Sequence, residues 1–354
     1  MAFDMKIAVV HSQYVEPVDS YEGKDYGAYL IYAAARVRAN IDSTLEMLRK
    51  AGAAGAELAV TNEDFGGMGF YLRDVDNPSC FGDIVKRFEN SLLEDLRAIA
   101  KEYGMYVAAN EYETGVEGVG NAGGVGSGDG IYNTSKLIGR DGVIIGKYRK
   151  VHLPSGERFV VQPGKEHGVF KTDIGNIGFA ICYDLLFPEH CRILAMNGAD
   201  MIIHQTQGWF PGGANKNVLG EPYLRVRASE NRVYLVVAKN AQDDGGMSCI
   251  VDNRGNILAS QSGFGKKLLL ADIDVDYDAV DTCDYDNYYA GLRSLRARHL
   301  LHREPSTYGR LAEGNPVFAS ELLSGERMCT YDEWVKLIKA LGEMPESERA
   351  KLHW

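Results

Sequence analysis

Residues 177–189, Ile-Gly-Phe-Ala-Ile-Cys-Tyr-Asp-Leu-Leu-Phe-Pro-Glu, decide how this chain reads. The run 177–181 is apolar and uncharged, the composition of a strand buried on both faces. Pro188 and Glu189 suit the first turn of a helix, one with its φ already set and the other favoured by the helix dipole. A strand that turns at once into a helix is the repeating unit of a layered α/β fold.

The alternation continues outward in both directions. Strands are predicted at 7–12, 58–61, 106–110, 131–138 and 143–148, then at 201–204, 233–238, 248–252 and 268–273. Helices are predicted at 42–51, 84–103, 189–197 and 221–231, with Leu92, Leu93, Leu96, Ile99 and Ala100 on one stripe. Asp252-Asn253-Arg254-Gly255-Asn256 reads as a hairpin turn. Strand–helix alternation followed by hairpin-like pairs predicts an α/β fold of mixed sheets covered by helices. Residues 1–303 read as one domain. Residues 304–354 read as a tail with one amphipathic helix near 332–341, docked on the body or on a partner subunit.

The 354 residues carry 38 Lys+Arg against 49 Asp+Glu, a net charge of −11. That acidic balance, with no basic run, argues against a nucleic-acid or anionic-membrane surface. No apolar stretch reaches the ~18–20 residues that cross a bilayer. The first residues run straight into the strand at 7–12 without a secretory signal, so a cytoplasmic protein is expected.

Residues 115–130 are glycine-rich and read as a surface loop. They contain a formal G-x-G-x-x-G at 118–123, but more glycines and a strand follow where a dinucleotide fingerprint requires a helix. No cofactor is expected. The six cysteines (80, 182, 191, 249, 283 and 329) show no C-x-x-C, and none shares zinc-ligand spacing with the eight histidines. Neither a disulfide framework nor a metal is expected.

Among these cysteines, Cys283 lies between Asp281 and Asp284, which disfavours a thiolate. Cys249 sits in a strand, Cys191 in a helix, and Cys80 and Cys329 in polar segments without a neighbouring base. Cys182 alone ends a buried strand before a helix-opening turn. Position by itself leaves open a nucleophile or a packed strand-end thiol. Two other strands end in reactive groups, Glu63 after 58–61 and Lys150 after 143–148. Taken singly, Glu63 reads as a solvated carboxylate, and Lys150, beside Lys147 and Arg149, as a solvated cation. Taken together with Cys182 they supply what thiol catalysis needs: a base, an oxyanion-holding cation and a nucleophile.

Three segments carry a resemblance: Thr61-Asn-Glu63-Asp-Phe, Gly146-Lys-Tyr-Arg-Lys150-Val-His-Leu-Pro154, and Gly178-Phe-Ala-Ile-Cys182-Tyr-Asp-Leu-Leu-Phe-Pro-Glu189. With 227–231, 248–256 and 270–274 they resemble, in order and spacing, the signatures of the nitrilase superfamily of carbon–nitrogen hydrolases from about residue 5 to 303. The resemblance implies an α-β-β-α sandwich, a Glu63–Lys150–Cys182 triad and an oxyanion site at the Tyr183 backbone N–H. It implies a second glutamate, here Glu157, six residues before Pro163. It also implies a homodimer or higher homo-oligomer, with no metal or cofactor. Asn62 stands where many relatives have Pro, which alters the loop and not the carboxylate.

Cys182-Tyr183-Asp184 resembles the amidase and carbamoylase branches, since nitrile-cleaving members tend to have Trp-Glu after the nucleophile. The expected substrate is a small amide, with an N-carbamoyl compound and then a nitrile as alternatives. Phe65, Tyr71, Gln207, Trp209 and Phe210 are candidate pocket residues by position, and Arg158 or His152 could take a substrate carboxylate. A catalytically silent assembly protein on the same scaffold is the reading from another class. Turnover of an amide discriminates the two.

Overall fold

The apolar runs pair into two six-stranded sheets in the computed structural model. The structure describes residues 2–14, 25–74, 76–116, 129–154, 156–207, 217–241, 247–276 and 303–312, with 300, 332–333, 336 and 339–340 besides. The chain divides into two units, Met1–Tyr277 and Asp278–Trp354.

In the first unit, β1 (Ala2–His11) runs antiparallel to β12 (Lys267–Asp276) and parallel to β2 (Leu58–Val60). Parallel β3 (Tyr106–Val116), then antiparallel β4 (Asp129–Ile138) and β5 (Ile144–Arg149), complete that sheet. The other sheet has β7 (Gly175–Ile181), β8 (Met201–Thr206) and β9 (Tyr234–Lys239) in parallel. Antiparallel β6 (Val169–Thr172) flanks them on one side, and β10 (Met247–Val251) with β11 (Ile257–Ser262) on the other.

Side-chain alternation turns these sheets into a sandwich. Ile7, Val9, Val60 and Tyr148 of one sheet share a buried cluster with Phe179, Ile181, Ile203 and Val236 of the other. On the reverse face of the second sheet, Ala180, Ile202 and Leu235 pack with Leu194 of α3 (Pro188–Met196) and Leu224 and Ala228 of α4 (Asn217–Asn231). Helices α1 (Tyr26–Ala53) and α2 (Ser79–Tyr103) pack on each other and on the first sheet. The architecture is an α-β-β-α sandwich.

Two expectations change. Helix α1 begins at Tyr26, not 42. Asp25 caps it by accepting from the Ala28 amide at 3.1 Å, and Ala33, Ala34, Val37 and Ile41 are buried. Tyrosines and arginines interleaved with those alanines hide the stripe in the sequence. The loop expected at 115–130 is shorter at both ends, because Gly115 and Gly130 face each other across β3 and β4. A Cβ on Gly115 would lie 2.5 Å from Arg149, whose guanidinium stacks 3.7 Å from the centre of the Tyr132 ring. Glycine there makes room for that stack. Residues 117–128, with the 118–123 glycine pattern, lie outside the described residues.

The second unit contributes two short 3-10 turns, Pro305–Thr307 and Gly309–Ala312. Of the helix expected at 332–341, residues 332–333, 336 and 339–340 are described and helical. Among the described residues no helix is long and apolar enough to cross a membrane.

Candidate active site

Three strand ends converge. Glu63 follows β2, Lys150 follows β5, and Cys182 follows β7. Glu63, Lys150 and Glu157 are buried. The Lys150 ammonium donates to Glu63 Oε1 at 2.8 Å and to Glu157 Oε2 at 2.7 Å. Burial alone would depress the Lys150 ammonium, but Glu157 and Glu63 overcome it and hold the group well above the ordinary lysine value. It stays charged.

Asn133, on β4, donates to Glu63 Oε1 at 2.9 Å and to Glu157 Oε1 at 2.8 Å, so one amide spans both acids. Asn110 on β3 holds Asn133 in turn, donating to its Oδ1 at 2.9 Å. Tyr112 donates to Glu157 Oε1 at 3.2 Å, and the backbone amide of Gln207 donates to Glu63 Oε2 at 3.1 Å. Sequence reasoning missed Asn133, Asn110 and Tyr112.

Cys182 is half-buried with φ 46°, a left-handed conformation rare outside glycine. It opens a five-residue 3-10 turn directly off β7. Asp184 braces that turn. Its Oδ2 accepts from the Ile181 amide at 2.9 Å and the Tyr148 hydroxyl at 2.7 Å; its Oδ1 accepts from the His152 amide at 2.9 Å and lies 2.8 Å from His152 Nδ1. One carboxylate thereby ties the Cys182 turn to the segment bearing Lys150. Burial would raise Asp184, but His190 and the His152 and Tyr148 hydrogen bonds hold it far below the usual carboxylate range.

Burial pushes the Cys182 thiol up to about 12, and the Glu63 charge adds to the rise; Lys150 and a hydrogen bond with Thr206 pull the other way. The resting sulfur is a neutral thiol, electrostatically coupled to the acids and the ammonium. The other described cysteines, Cys80, Cys191 and Cys249, are buried and free. Cys283 and Cys329 lie outside the described residues.

The structure brings Glu63, Lys150 and Glu157 into hydrogen-bond contact and joins Gln207 to Glu63. Phe65 and Tyr71 are buried, and the Tyr71 hydroxyl accepts from Arg36 at 3.1 Å. Trp209 and Phe210 lie outside the described residues. A cavity of about 340 Å³ is lined by residues 151–154, Arg158, Tyr183 and Phe187, chain neighbours of Lys150, Glu157 and Cys182. Ligand-type atoms of His152, Asp184 and His190 lie within 4.8 Å of one another. Both Asp184 oxygens are already taken by the four contacts above, so the group is a brace and is not assigned a metal.

The family model for carbon–nitrogen hydrolases matches residues 28–280. A nitrilase of Pyrococcus abyssi is 30% identical over 244 residues, 67% of this chain and 84% of that protein. The deaminated glutathione amidase of Homo sapiens is 31% identical over 299 residues, 78% of this chain and 81% of that protein. An omega-amidase of Xenopus laevis is 27% identical over 256 residues, 67% of this chain and 84% of that protein. Among solved structures, a carbon–nitrogen hydrolase from Helicobacter pylori G27 superposes with a TM-score of 0.66 at 22% identity, covering 88% of this chain and 98% of that one. An amidase from Nesterenkonia sp. gives 0.55 at 24%, covering 77% and 91%; at these identities the likeness is one of fold. A family model matched across the body of the sandwich, with relatives alike over two thirds of its length, places this chain in the nitrilase superfamily of carbon–nitrogen hydrolases, to which it belongs.

Proposed function

We propose that this chain hydrolyses a small amide through a thioester on Cys182. The observation that carries the reading is the buried Lys150 ammonium bridging Glu63 and Glu157 beside the Cys182 turn.

The roles follow from capacity. A neutral thiol must lose its proton as the carbon–sulfur bond forms, and Glu63 Oε2, accepting one hydrogen bond from Gln207, has room to take it. Two of the three N–H donors of Lys150 are committed to the acids, which leaves the third for the oxyanion beside the Tyr183 backbone N–H. On collapse the C–N bond breaks, Glu63 passes the proton to the leaving nitrogen, and ammonia departs. Water then attacks the thioester, giving a proton to Glu63; the C–S bond breaks and the proton returns to sulfur. Glu157 holds Lys150, and Asn133 keeps both acids in place.

Ammonia release from a panel of aliphatic amides, ω-amides and N-carbamoyl amino acids tests this. Cys182→Ala and Glu63→Gln are expected to abolish turnover, and Lys150→Ala to lose about 10²–10³-fold or more. Near wild-type turnover by Cys182→Ala overturns the assignment, and a wild-type protein inert to the whole panel favours the silent-scaffold reading. Arg158 and His152 on the cavity wall favour a narrower class, amides that carry a carboxylate at the other end. The ω-amides and N-carbamoyl amino acids both fit it, and the omega-amidase and deaminated glutathione amidase names among its relatives lend support.

A further inference from the structure

Asp64 takes no part in the proton transfers above, yet every polar atom it has is engaged. Its amide donates to Asn110 Oδ1 at 2.7 Å, and its carbonyl accepts from the Tyr14 hydroxyl at 2.5 Å and the Gly67 amide at 2.8 Å. Its buried carboxylate accepts from the Met68 and Gly69 amides, both at 2.8 Å, and from Gln207 Nε2 at 3.1 Å. These contacts hold it at φ 47°, again left-handed. Gln207 is the link to the chemistry: its side chain goes to Asp64, while its backbone amide goes to Glu63 Oε2. Lys150 and Asn133 fix only Oε1. Without Gln207 the carboxylate is free to pivot about that oxygen.

We propose that Asp64 and Gln207 form a clamp that positions Glu63, Asp64 anchoring the Gln207 side chain so that the Gln207 amide aims Glu63 Oε2 at the sulfur. The proposal rests on Glu63 being the base. Asp64 is a positioning residue, since it acts through Gln207.

The clamp is complete only when Asp64 is ionised, because three N–H donors converge on its two oxygens. Burial pushes the Asp64 carboxyl up to about 8 against the pull of the Gly69 and Met68 amides, and Glu63 and Glu157 add to the rise. The other titratable groups facing it, Tyr14 just after β1 and Tyr112 from β3, are raised well above the usual tyrosine value and stay neutral.

The test is alkylation of Cys182 by iodoacetamide, followed by peptide mass in the full chain, for wild type, Asp64→Asn, Gln207→Ala and the double variant. Gln207 is exposed, and Gln207→Ala keeps the backbone amide, so this variant folds even if Asp64→Asn does not. Above about pH 8, where wild-type Asp64 is ionised, each single change is expected to slow alkylation about tenfold or more, and the double no further than the slower single. The wild-type pH profile is expected to show a step near 8 that Asp64→Asn lacks. With an accepted amide, kcat falls in parallel while KM holds. Alkylation of Gln207→Ala at the wild-type rate, multiplying losses in the double variant, or an unchanged profile in Asp64→Asn overturns the clamp. If wild type releases no ammonia from any amide while both variants still slow alkylation, the substrate reading fails and the clamp stands. If all variants turn over amide and alkylate normally, the clamp alone fails.

Discussion

Cys182 pays for its place at the tip of β7 with a left-handed backbone, a conformation that costs an L side chain of order 1–3 kcal/mol. Removing Cβ relieves that strain. Cys182→Gly is therefore expected to be at least as stable as Cys182→Ala, by up to about 1 kcal/mol, although glycine normally loses to alanine. Urea denaturation of the two inactive variants decides it, and an alanine variant clearly the more stable would show that the turn is unstrained. At this scale the candidate site was legible where a reactive group ends an apolar strand, as Glu63, Lys150 and Cys182 do. Asn133 and Asn110 were not, because a polar residue alternating within a strand looks the same whether it faces water or a buried carboxylate. Asp64 was hidden beside Glu63, since nothing local tells which acid of a pair will be clamped.

The elements reverse the usual expectation that charge marks a solvent face. Lys136 on β4 is buried on the face opposite Asn133 and Ser135, hydrogen-bonded to Glu111 and, at 2.9 Å, paired with Glu113 on β3. Lys147 reaches Glu113 from β5 at 2.9 Å. Burial would depress Lys136, but Glu111 and Glu113 hold it above its ordinary value. Removing this cation strands the buried Glu111 and leaves Glu113 to Lys147 and Arg149. Lys136→Met is expected to cost about 3–5 kcal/mol in denaturant unfolding, and a loss under about 1 kcal/mol would mean that Lys147 and its neighbours compensate. The strands themselves were readable from their apolar runs. The first half of α1 was not, because its buried stripe is built largely from alanine, which carries little periodic signal.

For the whole molecule, acid is the condition that separates the folded charges from their ordinary values. Burial would raise Glu113, but Lys136 and Lys147 overcome it and hold the carboxyl down to about 2, and Asp184 is held lower still. Both folded values are depressed, so their stabilisation is present above the ordinary values of 4.5 and 3.8 and is lost as pH falls below them. Asp64 and Glu111, raised by burial, are protonated in both states by then and do not oppose the loss. The chain is expected to unfold between about pH 4 and pH 2. Near-ultraviolet circular dichroism follows it, and native signal retained at pH 2 would refute the account. Layering and the order of strands and helices were foreseeable at this scale from sequence order. The meeting of Glu63, Asn133 and Gln207 was not, since those contacts depend on which strands become neighbours.

The protonated sulfur of the resting state has a consequence for handling and for chemical attack. Peroxides and simple electrophiles consume thiolates, and a thiol held to about 12 offers them almost none. Only a molecule seated against the acid and the ammonium unmasks the nucleophile. Such a protein should keep in air without reductant, and reagents that carry an amide, as iodoacetamide does, should label it where peroxides and amide-free electrophiles leave it untouched.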